Sequence, residues 1–133
     1  MTAATSDRNT PRREKGLLFV AIAAATTVHN GLIACVNAAG YAVEGSTATD
    51  LIYLGRFEET VTNAGVDGEV SVRIRTDSAF QFQNSSTDPV TQASFGDFCF
   101  IEDNQTVAKT DGGGTRSKAG RVVGIDEHGV WVE

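Results

Sequence analysis

The sequence predicts an all-β protein, a small β-barrel or sandwich of about nine short strands. Short apolar runs recur along the chain and are separated by glycine, asparagine and aspartate, which are typical turn residues. No long stretch repeats apolar residues with the helical period, so α/β architectures are not expected. We expect at most one short helix and an extended N-terminal arm before the β domain.

The first strands are predicted from apolar runs between residues 17 and 60. "LLFVAI" at 17–22 is apolar and has no helix cap before it. "GLIACVNAAGYAV" at 31–43 predicts two strands joined by an Asn-Ala-Ala-Gly turn, in which Gly40 can adopt a positive φ. "DLIYLGRFEET" at 50–60 is rich in β-forming residues in its first half and charged at its end.

The clearest element is "EVSVRIRT" at 69–76. Apolar Val70, Val72 and Ile74 alternate strictly with polar neighbours, which predicts a strand with one buried and one solvated face. "AFQFQ" at 79–83 continues the alternation through Phe80 and Phe82.

The segment at 84–96, "NSSTDPVTQASFG", interrupts the strand pattern. Asp88 can cap a helical turn with Pro89 at its first position, so one or two turns of helix are predicted here. Strands resume with "DFCFIED" and "TVAK". The ending "GRVVGIDEHGVWVE" predicts a hairpin that turns between Asp126 and Gly129.

Residues 1–15 differ from the rest of the chain. They are polar, contain Pro11 and show no periodicity, so we expect an extended arm that orders on contact, or else a mobile terminus. Residues 16–133 form the predicted single β-rich domain. The arm carries net charge +2, and its four basic residues are candidate contacts to a neighbouring protein: Arg8, Arg12, Arg13 and Lys15.

The body of the protein is acidic. The whole chain has a net charge of −6, and residues 16–133 hold 7 basic and 15 acidic side chains, a net of −8. Binding to nucleic acid requires a basic surface that neutralises phosphates. We therefore expect no direct nucleic-acid partner.

The cysteines and the apolar runs indicate the compartment. Cys35 and Cys99 each lie in an apolar run, so we expect two buried thiols in a reducing environment, with a single disulfide as the alternative. The N-terminus lacks the apolar core of a signal peptide, and the longest apolar run, "GLLFVAIAAA", is too short to cross a bilayer. We expect a soluble protein, without a membrane partner, that stays inside the cell that makes it.

The glycine-rich stretch "DGGGTRSKAG" at 111–120 has the composition of a phosphate-binding loop. Its spacing does not match GxxxxGK[ST], and the residues after it, Val122, Val123 and Ile125, predict a strand where such a loop requires a helix. We interpret it as a mobile, exposed connection between strands.

No other motif predicts catalysis or metal binding. His29 and His128 lie in turn contexts and have no companion at ligand spacing. The carboxylates of "GIDEHG" and the pair Glu58–Glu59 are interpreted as solvated side chains, because no apolar context desolvates them. We expect neither a cofactor, nor a metal, nor enzymatic activity.

The order of four phrases resembles the capsid decoration, or cement, proteins of tailed bacteriophages and prophages. These are "NGLIACVNAAGYAV", "LGRFEETV", "VDGEVSVRIR" and the closing "AGRVVGIDEHGVWV", and the resemblance covers nearly the whole chain. It implies a structural virion protein on the capsid exterior, made in the host bacterial cytoplasm. Its partner would be the major capsid protein, whose neighbouring subunits it would clamp in the expanded head, and it would form a homo-trimer there.

Two alternatives remain open at this point. A free-standing β-barrel module for a carbohydrate or protein ligand would show exposed aromatic residues beside a groove. Tyr41, Tyr53 and Trp131 are the candidates, and strand positions favour burial for at least two of them. Another head or tail component of a virion is the second alternative.

Overall fold

The fold is all-β and contains a small closed barrel. The computed structural model describes residues 2–133, in which twelve strands and one 3₁₀ turn are formed. Residues 17–75 and residues 80–132 build different parts, a five-stranded sheet with a two-stranded ribbon and then the barrel. The first part consists of β1 (Leu17–Ala21), β2 (Thr26–Val28), β3 (Ile33–Val36), β4 (Ala42–Glu44), β5 (Ile52–Phe57), β6 (Val61–Asn63) and β7 (Ser71–Arg75).

The five-stranded sheet has the order β1-β7-β5-β3-β4, and all its neighbouring strands are antiparallel. β2 and β6 pair only with each other. The predicted alternation is confirmed in β7, where Val72 and Ile74 are buried while Ser71 and Arg73 are exposed. The predicted turn between β3 and β4 is also present, with Gly40 at a φ of 89°.

The barrel closes in the order β10-β8-β12-β11-β9. β10 pairs in parallel with β8, and the other neighbours are antiparallel, including the predicted hairpin that turns between Asp126 and Gly129. Its strands are β8 (Phe80–Asn84), β9 (Phe98–Ile101), β10 (Thr106–Ala108), β11 (Lys118–Asp126) and β12 (Gly129–Val132).

Two hydrophobic cores meet at β3. Ile33 and Cys35 pack into the barrel core, whereas Ala34 between them packs into the core of the five-stranded sheet. A strand buried on both faces has an almost continuous apolar sequence. This explains why the "LIACV" run does not alternate.

The helical turn lies later than predicted. The 3₁₀ turn spans Gln92–Ser94 and its N-cap is Thr91, so the prediction of a helix capped by Asp88 with Pro89 at its first position is wrong. The Asp88 carboxylate instead accepts hydrogen bonds from Thr110 and Arg116, across the connection that follows β10. The Asp88 side chain thus joins this segment to the connection after β10, and no helical turn starts at it.

Candidate binding surface

Residues 2–15 form no strand or helix, and every one of them is exposed. Lys15 lies 3.6 Å from Asp77, a pair in which both side chains are largely exposed and which therefore contributes little stability. No ion pair or side-chain hydrogen bond connects Arg8, Arg12 or Arg13 to another residue within 2–133. These three guanidinium groups are available to a partner.

The last residue of the arm, Lys15, lies at the edge of a groove of about 850 Å³ between the sheet and the barrel. Its lining combines apolar surface with charged groups at the rim. On the barrel side, Phe98 is 52% exposed and the Lys118 ammonium lies 4.8 Å from its ring centroid. The sheet side and the rim are formed by Lys15, Leu18, Tyr53, Leu54, Gly55, the loop 76–79, Arg121 and Glu133.

β1, which follows the arm directly, is an edge strand of the five-stranded sheet. Gly16 O accepts from Thr76 N and Ile22 N donates to Val70 O, so Gly16 and Ile22 face β7. By the antiparallel alternation, the peptide groups of odd-numbered β1 residues point to the open edge. Phe19 belongs to this set and its side chain is 67% exposed. The segment therefore offers both unpaired backbone groups and apolar surface to a partner.

A cluster of ion pairs lies on β5, β7 and the residues after β5. Glu58 accepts hydrogen bonds from Arg56 at 2.9 Å and Arg75 at 3.2 Å, and Glu59 accepts from Arg73 at 2.6 Å. The hydrogen bond from Arg56, and then that from Arg75, holds the pKa of Glu58 below its usual range. Three arginines thus share two carboxylates. Basic side chains are locally in excess here, whereas residues 16–133 as a whole are acidic. The pair Glu58–Glu59 serves these arginines and is not a pair of merely solvated carboxylates.

The glycine-rich connection is a hydrogen-bonded turn. Gly112, Gly113 and Gly114 have φ values of 65°, 77° and 89°, and Asp111 O accepts from the N–H groups of Thr115 and Arg116. As predicted, β11 follows and not a helix. The arginine of this stretch is committed to structure, because Arg116 pairs with Asp88 and Glu102 while only 14% of its side chain is exposed.

Neither the histidines nor the cysteines assemble a reactive cluster. His29 Nδ1 lies 2.9 Å from Glu44 Oε2, and His128 is exposed in the β11–β12 turn. Within residues 2–133 no three His, Cys, Asp or Glu side chains could together hold a metal ion. Both cysteines are free and buried, and burial raises the pKa of each thiol to about 12.

Trp131 is the most exposed of the three aromatic candidates. Val130 and Val132 point into the barrel, so Trp131 points outward and is 40% exposed, whereas Tyr41 and Tyr53 are half-buried. A Cβ placed on Gly124 would lie 3.0 Å from Trp131 Cδ1, so the indole occupies the space that a side chain at that position would fill.

Asp126 contacts the polar edge of this indole through a long hydrogen bond. Its Oδ2 accepts from Trp131 Nε1 at 3.4 Å, and its Oδ1 accepts from Gln81 Nε2 at 2.8 Å and His128 N at 2.7 Å. The hydrogen bond from the His128 backbone, followed by those from Trp131 and Gln81, lowers the pKa of Asp126. Asp126 thus contacts Gln81, His128 and Trp131 and is not a merely solvated turn carboxylate.

No protein-family model, curated protein or solved structure matches the chain. Among residues 2–133 there is no helix with the length and apolar character needed to cross a bilayer. Function is therefore inferred from the residues and contacts described above.

Proposed function

We propose that this chain is a structural virion protein that binds the outer surface of an expanded phage capsid and clamps neighbouring major capsid subunits. The observation that carries the proposal is the exposed arm of residues 2–15, which enters an open sheet edge beside a groove between the two halves of the fold. The resemblance of four sequence phrases to capsid decoration proteins supports the same role. The protein acts by binding and not by catalysis.

The arm suits a partner with a negatively charged surface. Arg8, Arg12 and Arg13 are exposed, and guanidinium groups form bidentate hydrogen bonds with carboxylates. An arm that orders on docking can follow a long path over a shell, at the cost of its conformational entropy. The partner proposed here is the major capsid protein, on the exterior of the virion after synthesis in the host cytoplasm.

Weak individual contacts are sufficient for this role. In a homo-trimer, three copies engage several capsid subunits at once, so the second and third contacts form at high effective concentration. A ligand that binds only the expanded shell stabilises that state against rupture by packaged DNA. The net charge of −8 on residues 16–133 disfavours contact with the DNA itself.

Co-sedimentation with purified, expanded and undecorated capsids of the same virus tests the proposal. We expect the full chain to pellet with the capsids at a saturating ratio. Deletion of residues 2–15 and the triple change R8A/R12A/R13A should both raise the apparent dissociation constant about five- to thirtyfold, the change expected for the loss of one to two kcal/mol of charge-assisted hydrogen bonds.

The triple change T5A/S6A/N9A is the matched control, because it alters the same arm at three positions and preserves its charge. It should bind like the unmodified chain. If neither the full chain nor the control sediments with expanded capsids, the proposed function is wrong. If the full chain binds and the arm variants bind equally well, the clamp role stands but the arm does not carry it.

A further inference from the structure

A second concave surface, separate from the arm, lies where β8 and β12 of the barrel meet Gly31 and Arg56 of the first half of the fold. It is a depression of about 340 Å³, at the lower end of the range of roughly 300–1,000 Å³ usual for small-molecule sites. No residue of the arm lines it. The lining residues are Gly31, Arg56, Ala79, Phe80, Gln81, Phe82 and Trp131.

The aromatic surface of this depression is held in place before any ligand binds. Trp131 pairs with Gln81 on β8 and with Gly124 on β11, so the indole lies between an amide side chain and a bare backbone. Its polar edge, Nε1, lies 3.4 Å from Asp126 Oδ2. An exposed indole with a fixed orientation loses little conformational entropy when a ligand stacks on it.

The polar groups around the indole retain unused hydrogen-bonding capacity. The Asp126 carboxylate has about four lone-pair sites and uses three of them, for Gln81, His128 and Trp131. Gln81 donates through Nε2, and within residues 2–133 its Oε1 accepts no hydrogen bond. Arg56 places its guanidinium 4.8 Å from the Phe80 ring centroid and donates to Glu58 through Nη2, which leaves Nη1 as a donor.

We propose that Trp131, Gln81, Asp126 and Arg56 form a binding site for a pyranose ring of a carbohydrate. One face of a pyranose is lined with C–H groups and stacks on an aromatic ring, while its hydroxyls both donate and accept hydrogen bonds. The site supplies the complementary set, with acceptors on Asp126 and Gln81 and a donor on Arg56. This inference does not depend on the capsid proposal, since no arm residue takes part.

Other ligands that stack on tryptophan fit this surface less well. A nucleotide also has a flat face, but its phosphates would approach a body with a net charge of −8. A protein partner would be expected to use several exposed aromatic residues together. The other exposed phenylalanines, Phe19, Phe95 and Phe98, do not line this depression.

Trp131 is the only tryptophan of the chain, so its fluorescence reports on the site directly. The full chain is titrated with cellotriose, lactose and tri-N-acetylchitotriose, and mannitol serves as a control polyol without a ring. We expect at least one of the three sugars to change the Trp131 emission saturably, with a millimolar dissociation constant typical of a small site, and to protect it from acrylamide. Mannitol should do neither.

Variants assign the effect to the site. Gln81→Ala keeps the fluorophore and should weaken binding about tenfold, the loss of roughly one hydrogen bond. Trp131→Ala, followed by calorimetry, should abolish binding, whereas Phe95→Ala, at an exposed position outside both grooves, should bind like the unmodified chain. Circular dichroism checks the fold of each variant, and Gln81→Ala is decisive if Trp131→Ala does not fold.

Four results would overturn the inference. The first three are no response to any of the three sugars, an equal response to mannitol, and an equal loss of binding in Phe95→Ala. A Trp131 emission that changes with protein concentration in the absence of sugar would assign the residue to a contact between copies, and would overturn it as well.

Discussion

Arg116 Nη1 lies 3.0 Å from Asp88 Oδ2, a contact between the glycine-rich connection before β11 and the segment after β8. The same guanidinium reaches Glu102 at 3.3 Å through Nη2. One largely buried arginine therefore ties together three separate connections of the barrel. The glycine-rich stretch 111–120 has the composition of a phosphate-binding loop, but its arginine, Arg116, stabilises the fold.

Replacement of Arg116 by alanine should destabilise the fold by about 1–2 kcal/mol, because it leaves two partly buried carboxylates without their cation. Urea unfolding measures the change. Arg121→Ala is the matched control, since its pair with Glu133 is about half exposed at both ends and should contribute under about 1 kcal/mol. Equal losses in the two variants would contradict the account of Arg116.

The pH dependence of stability should include a contribution from Asp88. The hydrogen bond from the Thr110 hydroxyl, and then those from the Thr110 backbone and Arg116, lower the pKa of Asp88 below its unfolded value. Its contribution is therefore complete above the unfolded pKa of about 3.9 and is lost as the pH falls through the lower folded value. Urea unfolding at a series of acid pH values should show that the free energy of unfolding falls less steeply with decreasing pH in Thr110→Val than in the unmodified chain. An equal slope in the two proteins would refute this contribution.

Gly55, the glycine of β5, should tolerate substitution poorly. Its φ is 146°, and an added Cβ would lie 2.1 Å from the backbone oxygen of Arg75, which cannot move without breaking the β5–β7 pairing. We expect Gly55→Ala to lose about 3 kcal/mol or more. Gly40→Ala meets no atom within 4 Å and should lose only about 1–2 kcal/mol, the cost of its positive φ. Thermal unfolding measures both losses, and a larger loss of stability in Gly40→Ala than in Gly55→Ala would contradict this prediction.

The two thiols should be unreactive in the folded protein. Burial raises the pKa of Cys35 and Cys99 to about 12, and only the thiolate reacts quickly. We expect Ellman's reagent to label neither residue in buffer and both in urea. Ser86→Cys, at an exposed position, should be labelled at once and serves as the control. Rapid labelling of the unmodified chain would show that the core is open.

Local patterns were sufficient to predict much of the fold. The alternation in β7 and β8 and the turn residues between β3 and β4 depend on neighbours within a few positions. The paired strands β2 and β6 were missed because each has three residues, too few to show a period, and their partners are 35 positions apart, as in Thr27 and Thr62. The parallel contact of β10 with β8, which closes the barrel, likewise depends on distant residues.

The binding surfaces were only partly predictable. The sequence distinguishes the basic arm by its charge, and its role as a contact stays a prediction. The boundary between the arm and the β-rich domain, placed between residues 15 and 16, also stays a prediction. Burial was expected for at least two of Tyr41, Tyr53 and Trp131, and the sequence does not single out Trp131 as the exposed one. The missing signal was Gly124 on the neighbouring strand, which leaves the space that the indole covers. The pairing of Gly124 with Trp131 can be recognised only when the register between β11 and β12 is known.

A reconstruction by electron cryo-microscopy of expanded capsids mixed with this protein tests the central claim most directly. The account predicts added density on the outer surface that bridges neighbouring capsid subunits, with the chain of residues 2–15 traceable along the shell. Shells without added density at saturating protein, or density confined to the inner surface, would contradict it.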